Sequence, residues 1–267
     1  MTEAEWAVCD NPALMLDFLQ QRTRAAQTRF APQRPSWSGP QTIYDPYLRR
    51  KLRLFACGCC RRIWHRLPEG LYREVIVLAE QYADDGATRQ ELHNLRETLT
   101  PRLLPYEPAT RSKIHRAVSS ATQSFADEYV GRTILLALTA AWEIGDLVSV
   151  PESMWTANEP QWLAYLSAIR SPQYRTEQRL RANLVRDVIP SPFRKIEFNP
   201  EWRHWRDDTI IHLAHTIYEE HRFDELMILA DALEEAGCAE PSIIEHCRQP
   251  GPHIRGCWVV DALLEKA

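Results

Sequence analysis

Apolar residues in this chain recur at spacings of three and four residues, which is the period of an amphipathic α-helix. The segment 47–67 is one example, because its residues Leu52, Phe55 and Cys59 share one stripe. We find no segment with the alternating pattern of a half-buried strand. Helices are predicted over residues 2–29, 47–67, 71–82, 88–99, 112–147, 162–186, 208–220, 223–236, 241–246 and 258–266. The chain is therefore predicted to be all-α, a multi-helix globular bundle with a C-terminal helical subdomain.

Prolines divide the predicted helices into two units. Residues 1–187 are predicted to form an N-terminal helical body, and residues 188–267 a C-terminal helical subdomain that begins at the sequence IPSPF. Within the body, residues 29–46 hold four prolines and one glycine. No regular element tolerates that density, so this stretch is predicted to be a loop or an insertion.

Charge and composition restrict the kinds of partner. The net charge of −4 provides no overall attraction to nucleic acid or to an anionic membrane. The first residues, MTEAEWAVCD, lack the apolar centre of a secretory signal, and the longest apolar run, residues 134–142, is too short to span a bilayer. We therefore expect a cytoplasmic location, no membrane partner and seven reduced cysteines.

The densest group of metal-binding residue types lies near the end of the sequence. These residues are Cys238, His246, Cys247, His253 and Cys257. Thiolate and imidazole groups suit Zn²⁺, so Cys238, Cys247, His253 and Cys257 are the predicted ligands of a closed structural site. The set lacks a CxxC pair, and two alternatives stay open. One is a buried corner at the Pro-Gly-Pro turn, with His253 bonded to a carbonyl, and the other is a reactive thiol.

A second group of cysteines lies in the segment 47–67. Cys59 falls on the apolar stripe and is expected to pack in the core, whereas Cys57 falls off it, and Cys60 borders it. The seven positive charges of this segment would lower the pKa of an exposed thiol. Packing is one interpretation, and a redox or metal-binding role for Cys57 with His65 is the other.

A third candidate is a polar face on the helix predicted over 208–220. Asp208, His212 and His215 are spaced by four and three residues, opposite the apolar stripe. Two histidines and a carboxylate can form an open, catalytic metal site. The same pattern is also that of an ordinary surface helix.

The arginines of the segment 47–67 form a candidate interaction surface. They include Arg49, Arg50, Arg53, Arg61 and Arg62. Nucleic acid is one partner that such a helix would suit. A second hypothesis is that the helix docks with the acidic residues of the segment 219–245, which has nine acids and one arginine. The alternative to docking is that each of the two segments is a solvated face.

Two phrases of the sequence resemble an uncharacterised family of bacterial proteins. They are KLRLFACGCCRRIW at 51–64 and ILADALEEAGC…HCRQPGPHIRGCWVVDALLEK at 228–266. ILADALEEAGC is also similar to the helical repeat-companion domain. The resemblance implies that the two cysteine regions form one structural unit and that residues 29–46 are an insertion. It implies no activity.

We expect a non-enzymatic interaction or adaptor protein with a zinc-supported corner, whose partner is another protein that contacts exposed tryptophans and charged faces. The alternative is a metal- or thiol-dependent enzyme working at Cys57, Cys238, Cys247, His253 and Cys257. A nucleic-acid-binding accessory protein is the second alternative.

Overall fold

The protein is all-α, as predicted. A computed structural model describes residues 1–30, 46–99, 109–123, 139–140 and 171–266, and these residues form helices and turns without a strand. The helices are α1 (Glu3–Val8), α2 (Pro12–Phe30), α3 (Pro46–Arg62), α4 (Leu71–Ala83), α5 (Arg89–Glu97), α6 (Ala109–Gln123), α7 (Pro172–Val188), α8 (Thr209–Glu219), α9 (Leu226–Glu235), α10 (Pro241–Arg248) and α11 (Trp258–Leu263).

The described residues also form short 3₁₀ turns at Trp64–Arg66, Pro200–His204 and Phe223–Glu225. No helix in the described part of the chain is both long and apolar enough to cross a membrane. The predicted loop at 29–46 and the predicted helices 112–147 and 162–186 lie partly outside the described residues.

Local sequence chemistry fixes several helix ends. Thr2 and Thr88 each begin a helix with a capping box, in which the hydroxyl and the glutamate three residues later bond each other's backbone amides. Gly237 ends α9 in the left-handed region with φ +86°, and the amide of Cys238 then donates to the carbonyl of Leu233 at 2.9 Å. These ends were readable from sequence because each depends on one short motif.

The central helix of the molecule is α3. It contacts α4, α6 and α7, and residues 254–261 pack on a further side. Every residue from 50 to 60 is buried. The predicted apolar stripe is buried, but the alternative of a solvated opposite face does not describe residues 50–60, because a helix surrounded by neighbours buries its charged residues as well as its apolar ones.

The buried apolar residues fall into two cores. The first gathers residues between Trp6 and Ile189, and the second gathers residues between Trp202 and Leu263. Ile254 is the exception within the described residues, because it follows Ile189 in sequence and yet is buried in the first core. The predicted division into domains at residues 187 and 188 stays a prediction.

Two glycines let the loop before α11 approach α3 closely. A Cβ atom on Gly58 would lie 2.2 Å from Cδ1 of Ile254, and one on Gly256 would lie 2.8 Å from Cδ1 of Leu54. Gly256 also has φ +95°, a conformation that other residues rarely adopt. The close neighbour of Gly58 is thus the side chain of a loop residue and not a second helix.

Beside these glycines lies a set of buried polar groups, called here the charge network: Arg50, Lys51, Asp84, Tyr218 and Asp261. Arg50 and Lys51 both donate to Asp261 at 2.5 Å. Arg50 and the Tyr218 hydroxyl also donate to Asp84, at 2.8 and 2.7 Å. The network joins α3 and the end of α4 to α8 and α11, so it connects residues on both sides of the boundary between the two cores.

Candidate metal centre

Four side chains with metal-binding atoms meet where the two cores adjoin. They are Asp187, His246, His253 and Cys257, called here the metal centre. Their ligand atoms all lie within 4.8 Å of one another. Asp187 comes from the last turn of α7, His246 from α10, His253 from the loop after the Pro-Gly-Pro turn, and Cys257 from the residue before α11. This group can hold a metal ion.

Asp187 lies at the middle of the metal centre. Its Oδ1 is 2.6 Å from Nδ1 of His253 and 3.2 Å from Nε2 of His246. Its Oδ2 accepts a hydrogen bond from the backbone amide of Ile254 at 2.8 Å. Burial raises the pKa of the carboxyl group, but the hydrogen bonds from the two histidines outweigh it and hold the pKa of Asp187 at about 2. The carboxylate is therefore ionised at neutral pH.

Both nitrogens of His253 face acceptors. Nδ1 faces the carboxylate of Asp187, and Nε2 lies 3.1 Å from the carbonyl oxygen of Gln249. Burial lowers the pKa of His253, but the bond to Asp187 overcomes this effect and raises the pKa. The contact with Gln249 also matches the alternative of a corner in which His253 bonds a carbonyl, since Gln249 directly precedes the turn.

The other two members contact each other. Nε2 of His246 is 3.2 Å from Sγ of Cys257, and the indole N–H of Trp258 donates to Nδ1 of His246 at 3.1 Å. Cys257 is fully buried. Burial, and then the nearby Asp187, raise the pKa of its thiol well above the ordinary value. Without a metal ion, Cys257 is therefore a protonated thiol and a poor nucleophile.

The donor set suits a zinc ion better than a hard cation. One carboxylate, two imidazoles and one thiol are the ligand types of tetrahedral Zn²⁺ sites, whose neighbouring ligand atoms are about 3.3–3.8 Å apart. The contacts of His246 with Asp187 and Cys257, both 3.2 Å, are close to that spacing. The hydrogen bond of 2.6 Å between Asp187 and His253 is shorter than that spacing and would have to lengthen.

The structure brings together two of the four residues that the sequence predicted as ligands. His253 and Cys257 belong to the metal centre, whereas Cys238 and Cys247 are outside the group and are buried in the second core. Burial raises the pKa of both thiols, that of Cys247 to about 12. Cys238 completes the cap of α9, which explains its position near the cluster without a ligand role.

Asp187 is the member that sequence reasoning missed. It precedes His253 by 66 residues, so no local spacing connects the two. A weak signal did exist. Asp187 follows Leu184 by three residues and precedes Val188, which places an acid on the apolar side of α7. It also lies in the last turn, where the helix dipole disfavours a negative charge.

The cysteines of α3 are packing residues. Cys57, Cys59 and Cys60 are fully buried in the first core, and His65 is exposed beyond the helix end. Burial raises the pKa of the Cys57 and Cys60 thiols well above the ordinary value and that of Cys59 to about 12. Of the two interpretations, packing agrees with this burial. The arginines would lower the pKa of an exposed thiol, and Cys57 is not exposed, so loss of water outweighs their attraction.

The polar face of α8 remains an ordinary surface. Asp208, His212 and His215 are exposed, and Asp208 lies 3.0 Å from His204. Among the described residues, the grouping that can hold a metal ion does not include them. This region therefore agrees with the alternative interpretation, an ordinary surface helix.

Four arginines of α3 contact acidic or aromatic side chains of the protein itself. Arg50 belongs to the charge network, Arg61 makes two hydrogen bonds to Glu80 at 2.9 and 2.5 Å, and Arg62 donates to Glu177 at 2.7 Å. Arg53 is buried over the ring of Tyr82, and Arg49 is half-buried. Arg50 and Arg53 are buried, whereas Arg49, Arg61 and Arg62 are half-buried, so an interaction surface formed by all five stays a prediction.

The acidic segment 219–245 pairs within its own part of the chain. Asp231 and Glu234 bind Arg248, and Glu219 binds Arg255. Charged residues of α3 bind Asp261, which lies beyond that segment. The two regions also meet at Tyr218, which accepts a hydrogen bond from Arg50, and at His221 within the segment, which lies 3.3 Å from Arg61.

The tryptophans in the described part of the chain are not exposed. Trp6, Trp202 and Trp258 are buried, and Trp64 and Trp205 are half-buried. The expectation that exposed tryptophans form the partner surface is therefore wrong for these five residues. Instead, the rings of Trp202 and Trp258 each contact Phe198 edge-on in the second core.

Comparisons of the chain with protein-family models, with curated proteins and with solved structures find no match. The resemblance of residues 51–64 and 228–266 to a bacterial family stays a prediction. The function is therefore inferred from geometry.

Proposed function

We propose that this chain is a non-enzymatic interaction protein whose C-terminal region is fastened to its N-terminal body by a structural zinc ion. Asp187, His246, His253 and Cys257 would bind the ion. A cytoplasmic location is part of the proposal, because all seven cysteines are free thiols.

The observation that carries the proposal is the closed and buried arrangement of the four ligands. The side chains of Asp187, His253 and His246 are only 3%, 9% and 11% exposed, and Cys257 is fully buried. Four protein ligands fill a tetrahedral shell, which is the composition of structural zinc sites, whereas catalytic sites keep one position for water or substrate. Asp187 comes from α7, and the other three ligands come from the C-terminal region, so an ion would link the two regions.

The surroundings of the metal centre support a structural role over an enzyme. The cavity beside His253, which Glu80 and His221 also line, has a volume of about 170 Å³. Sites for small-molecule substrates typically measure about 300–1,000 Å³. The buried thiols of Cys57, Cys247 and Cys257 have raised pKa values, which opposes the nucleophilic chemistry of a thiol enzyme.

Cobalt substitution tests the closed site. The purified protein is freed of metal with a chelator and titrated with Co²⁺, and the visible spectrum is followed. We expect one equivalent to give intense tetrahedral bands with a thiolate charge-transfer band, unchanged by azide or cyanide. Asp187→Asn and Cys257→Ser should weaken the signal, and Cys238→Ser should leave it intact. A spectrum that shifts with azide would mean an open coordination position and would support the enzyme alternative.

The interaction role is supported by an exposed apolar pair on α9. Met227 and Ile228 are 59% and 55% exposed. Asp224 and Asp231 lie within one turn of both, which suits a protein partner with apolar and basic side chains. We expect affinity capture to recover such a partner with the wild type and with a Val8→Glu control, and to lose it with Met227→Glu/Ile228→Glu. Equal recovery by all three proteins would remove this surface from the proposal.

A further inference from the structure

The hydrogen bond between Trp258 and His246 opposes the binding of metal at His246. The indole N–H is only a donor, so Nδ1 of His246, 3.1 Å away, accepts the bond with its lone pair. A neutral imidazole then carries its one proton on Nε2. That nitrogen faces Asp187 Oδ1 and Cys257 Sγ, each at 3.2 Å. The proton thus points to the place where a metal ion would lie.

A metal-bound histidine needs the opposite arrangement. The ligating nitrogen offers its lone pair, and the second nitrogen usually donates its N–H to a carbonyl or a carboxylate. His253 already fits, because its Nε2 faces the carbonyl of Gln249 at 3.1 Å while Nδ1 faces Asp187. His246 does not fit. If Nε2 bound metal, Nδ1 would carry the proton and would confront the N–H of Trp258.

The position of Trp258 is fixed by packing and not by this bond alone. Its side chain is buried in the second core, and its ring contacts Phe198 edge-on at 6.1 Å and lies 5.0 Å from the ring of His246. The indole therefore cannot swing away freely when metal arrives. Loading has to break the bond and turn one of the two rings.

From this geometry we propose that Trp258 is a positioning residue that limits the metal affinity of the centre, by holding His246 in the tautomer that cannot ligate through Nε2. The inference rests on the proposed zinc site. Its consequence is that the metal-free form is stabilised by its own hydrogen bonds, so the centre binds zinc less tightly than its four buried ligands suggest.

The test is the zinc affinity of Trp258→Phe, which keeps an aromatic ring and removes the N–H. Affinities are measured by competition with a chromophoric chelator. Removing one competing hydrogen bond should tighten binding roughly two- to tenfold. Trp202→Phe is the matched control, since Trp202 is buried and contacts the same Phe198, and it should bind zinc like the wild type.

The outcomes separate the inference from the function on which it rests. Equal or weaker binding by Trp258→Phe, with normal binding by wild type, would overturn the inference and leave the zinc site standing. No binding by any protein would overturn the zinc site itself. If Trp258→Phe does not fold, ¹⁵N NMR spectra of the histidines in wild-type protein freed of metal by a chelator provide the test. We expect the proton of His246 on Nε2, and a proton on Nδ1 would overturn the inference.

Discussion

The charge network and the metal centre are two buried polar clusters. The charge network joins α3 to the C-terminal region, and the metal centre joins α7 to the same region. In the charge network each carboxylate faces a guanidinium group, because Arg50 binds both Asp84 and Asp261. In the metal centre the carboxylate of Asp187 faces two histidines and lies near a thiol. Both clusters neutralise a buried acid, but they do so with groups of different chemistry.

This difference decides what each cluster can exchange. A guanidinium group keeps its proton at every physiological pH and offers no lone pair, so a metal ion cannot replace it. An imidazole and a thiol become ligands once their protons leave. The charge network is therefore a permanent connection between the two regions, and the metal centre is a connection whose state depends on metal and pH.

Breaking the permanent connection should have the largest effect. Asp261→Ala leaves Arg50 and Lys51 buried near each other without their shared carboxylate, which costs about 3–5 kcal/mol of unfolding free energy. Urea unfolding measures the loss, and zinc or chelator should not change its size. As a control, Arg248→Ala removes pairs with the exposed Asp231 and Glu234, and should cost less than about 1 kcal/mol. Equal losses for the two variants would contradict the expectation that the buried ion pairs contribute more to stability than the exposed ones.

The exchangeable connection should respond to zinc. At free zinc near 100 times the dissociation constant, the folded wild-type protein gains about 2.7 kcal/mol, if the unfolded chain binds no zinc. Asp187→Asn and Cys257→Ser should gain far less, whereas Asp261→Asn should gain as much as wild type. Thermal unfolding at fixed free zinc, set with a buffered chelator, measures these gains. A similar gain in Asp187→Asn would mean that the ion binds elsewhere.

The two clusters also differ in how far sequence reveals them. The helices, the capping boxes at Thr2 and Thr88 and the end of α9 at Gly237 are local patterns, and the structure has them. The metal centre was half visible, because His253 and Cys257 lie four residues apart. Asp187 was not visible, since only the packing of α7 against the C-terminal region brings it there.

The burial of α3 shows why charge patterns mislead. Seven positive charges without an acid are typical of a solvated or nucleic-acid-binding helix. Their partners, such as Glu80, Glu177 and Asp261, come from three other helices. A pattern within one segment carries no information about charges that approach from elsewhere, so the sequence predicted the helix correctly and its surroundings incorrectly.

A smaller effect on the unfolding free energy should come from the close contact between Gly58 and Ile254, which lies near both clusters. Gly58→Ala places a Cβ atom 2.2 Å from Cδ1 of Ile254, next to the amide that binds Asp187. Such overpacking costs about 1–3 kcal/mol. Ile254→Val removes the atom in closest contact, so the double variant should recover part of the loss. Gly251→Ala is the control, because nothing lies within 4 Å of its added Cβ and its φ is not positive. Chemical denaturation of wild type, the two single variants and the double variant measures the coupling, and Gly251→Ala is measured beside them.

The smallest expected effect is a pH dependence of the stability that the metal centre provides when a chelator keeps the protein free of metal. The pKa of Asp187 is about 2 in the folded protein, against 3.8 for an ordinary aspartate carboxyl group. The stabilisation of the folded protein by this carboxylate is therefore fully present above pH 4 and is lost as pH falls towards 2. The shift corresponds to about 2 kcal/mol at most. His253 acts with the opposite sign. Its pKa is raised, so its share is present below pH 6.5 and disappears as pH rises through the folded value.

The readout is the difference in unfolding free energy between wild type and Asp187→Asn, measured from pH 3 to pH 8 with chelator present. Other carboxylates titrate in both proteins and cancel. The difference should be largest between about pH 4 and 6, where Asp187 and His253 are both charged, and should shrink on either side. A difference that stays constant over this range would mean that the ion pair between Asp187 and His253 gives the metal centre no pH dependence. The metal centre would then not differ from the charge network in this property. A maximum in that window would instead assign the pH response to these two side chains.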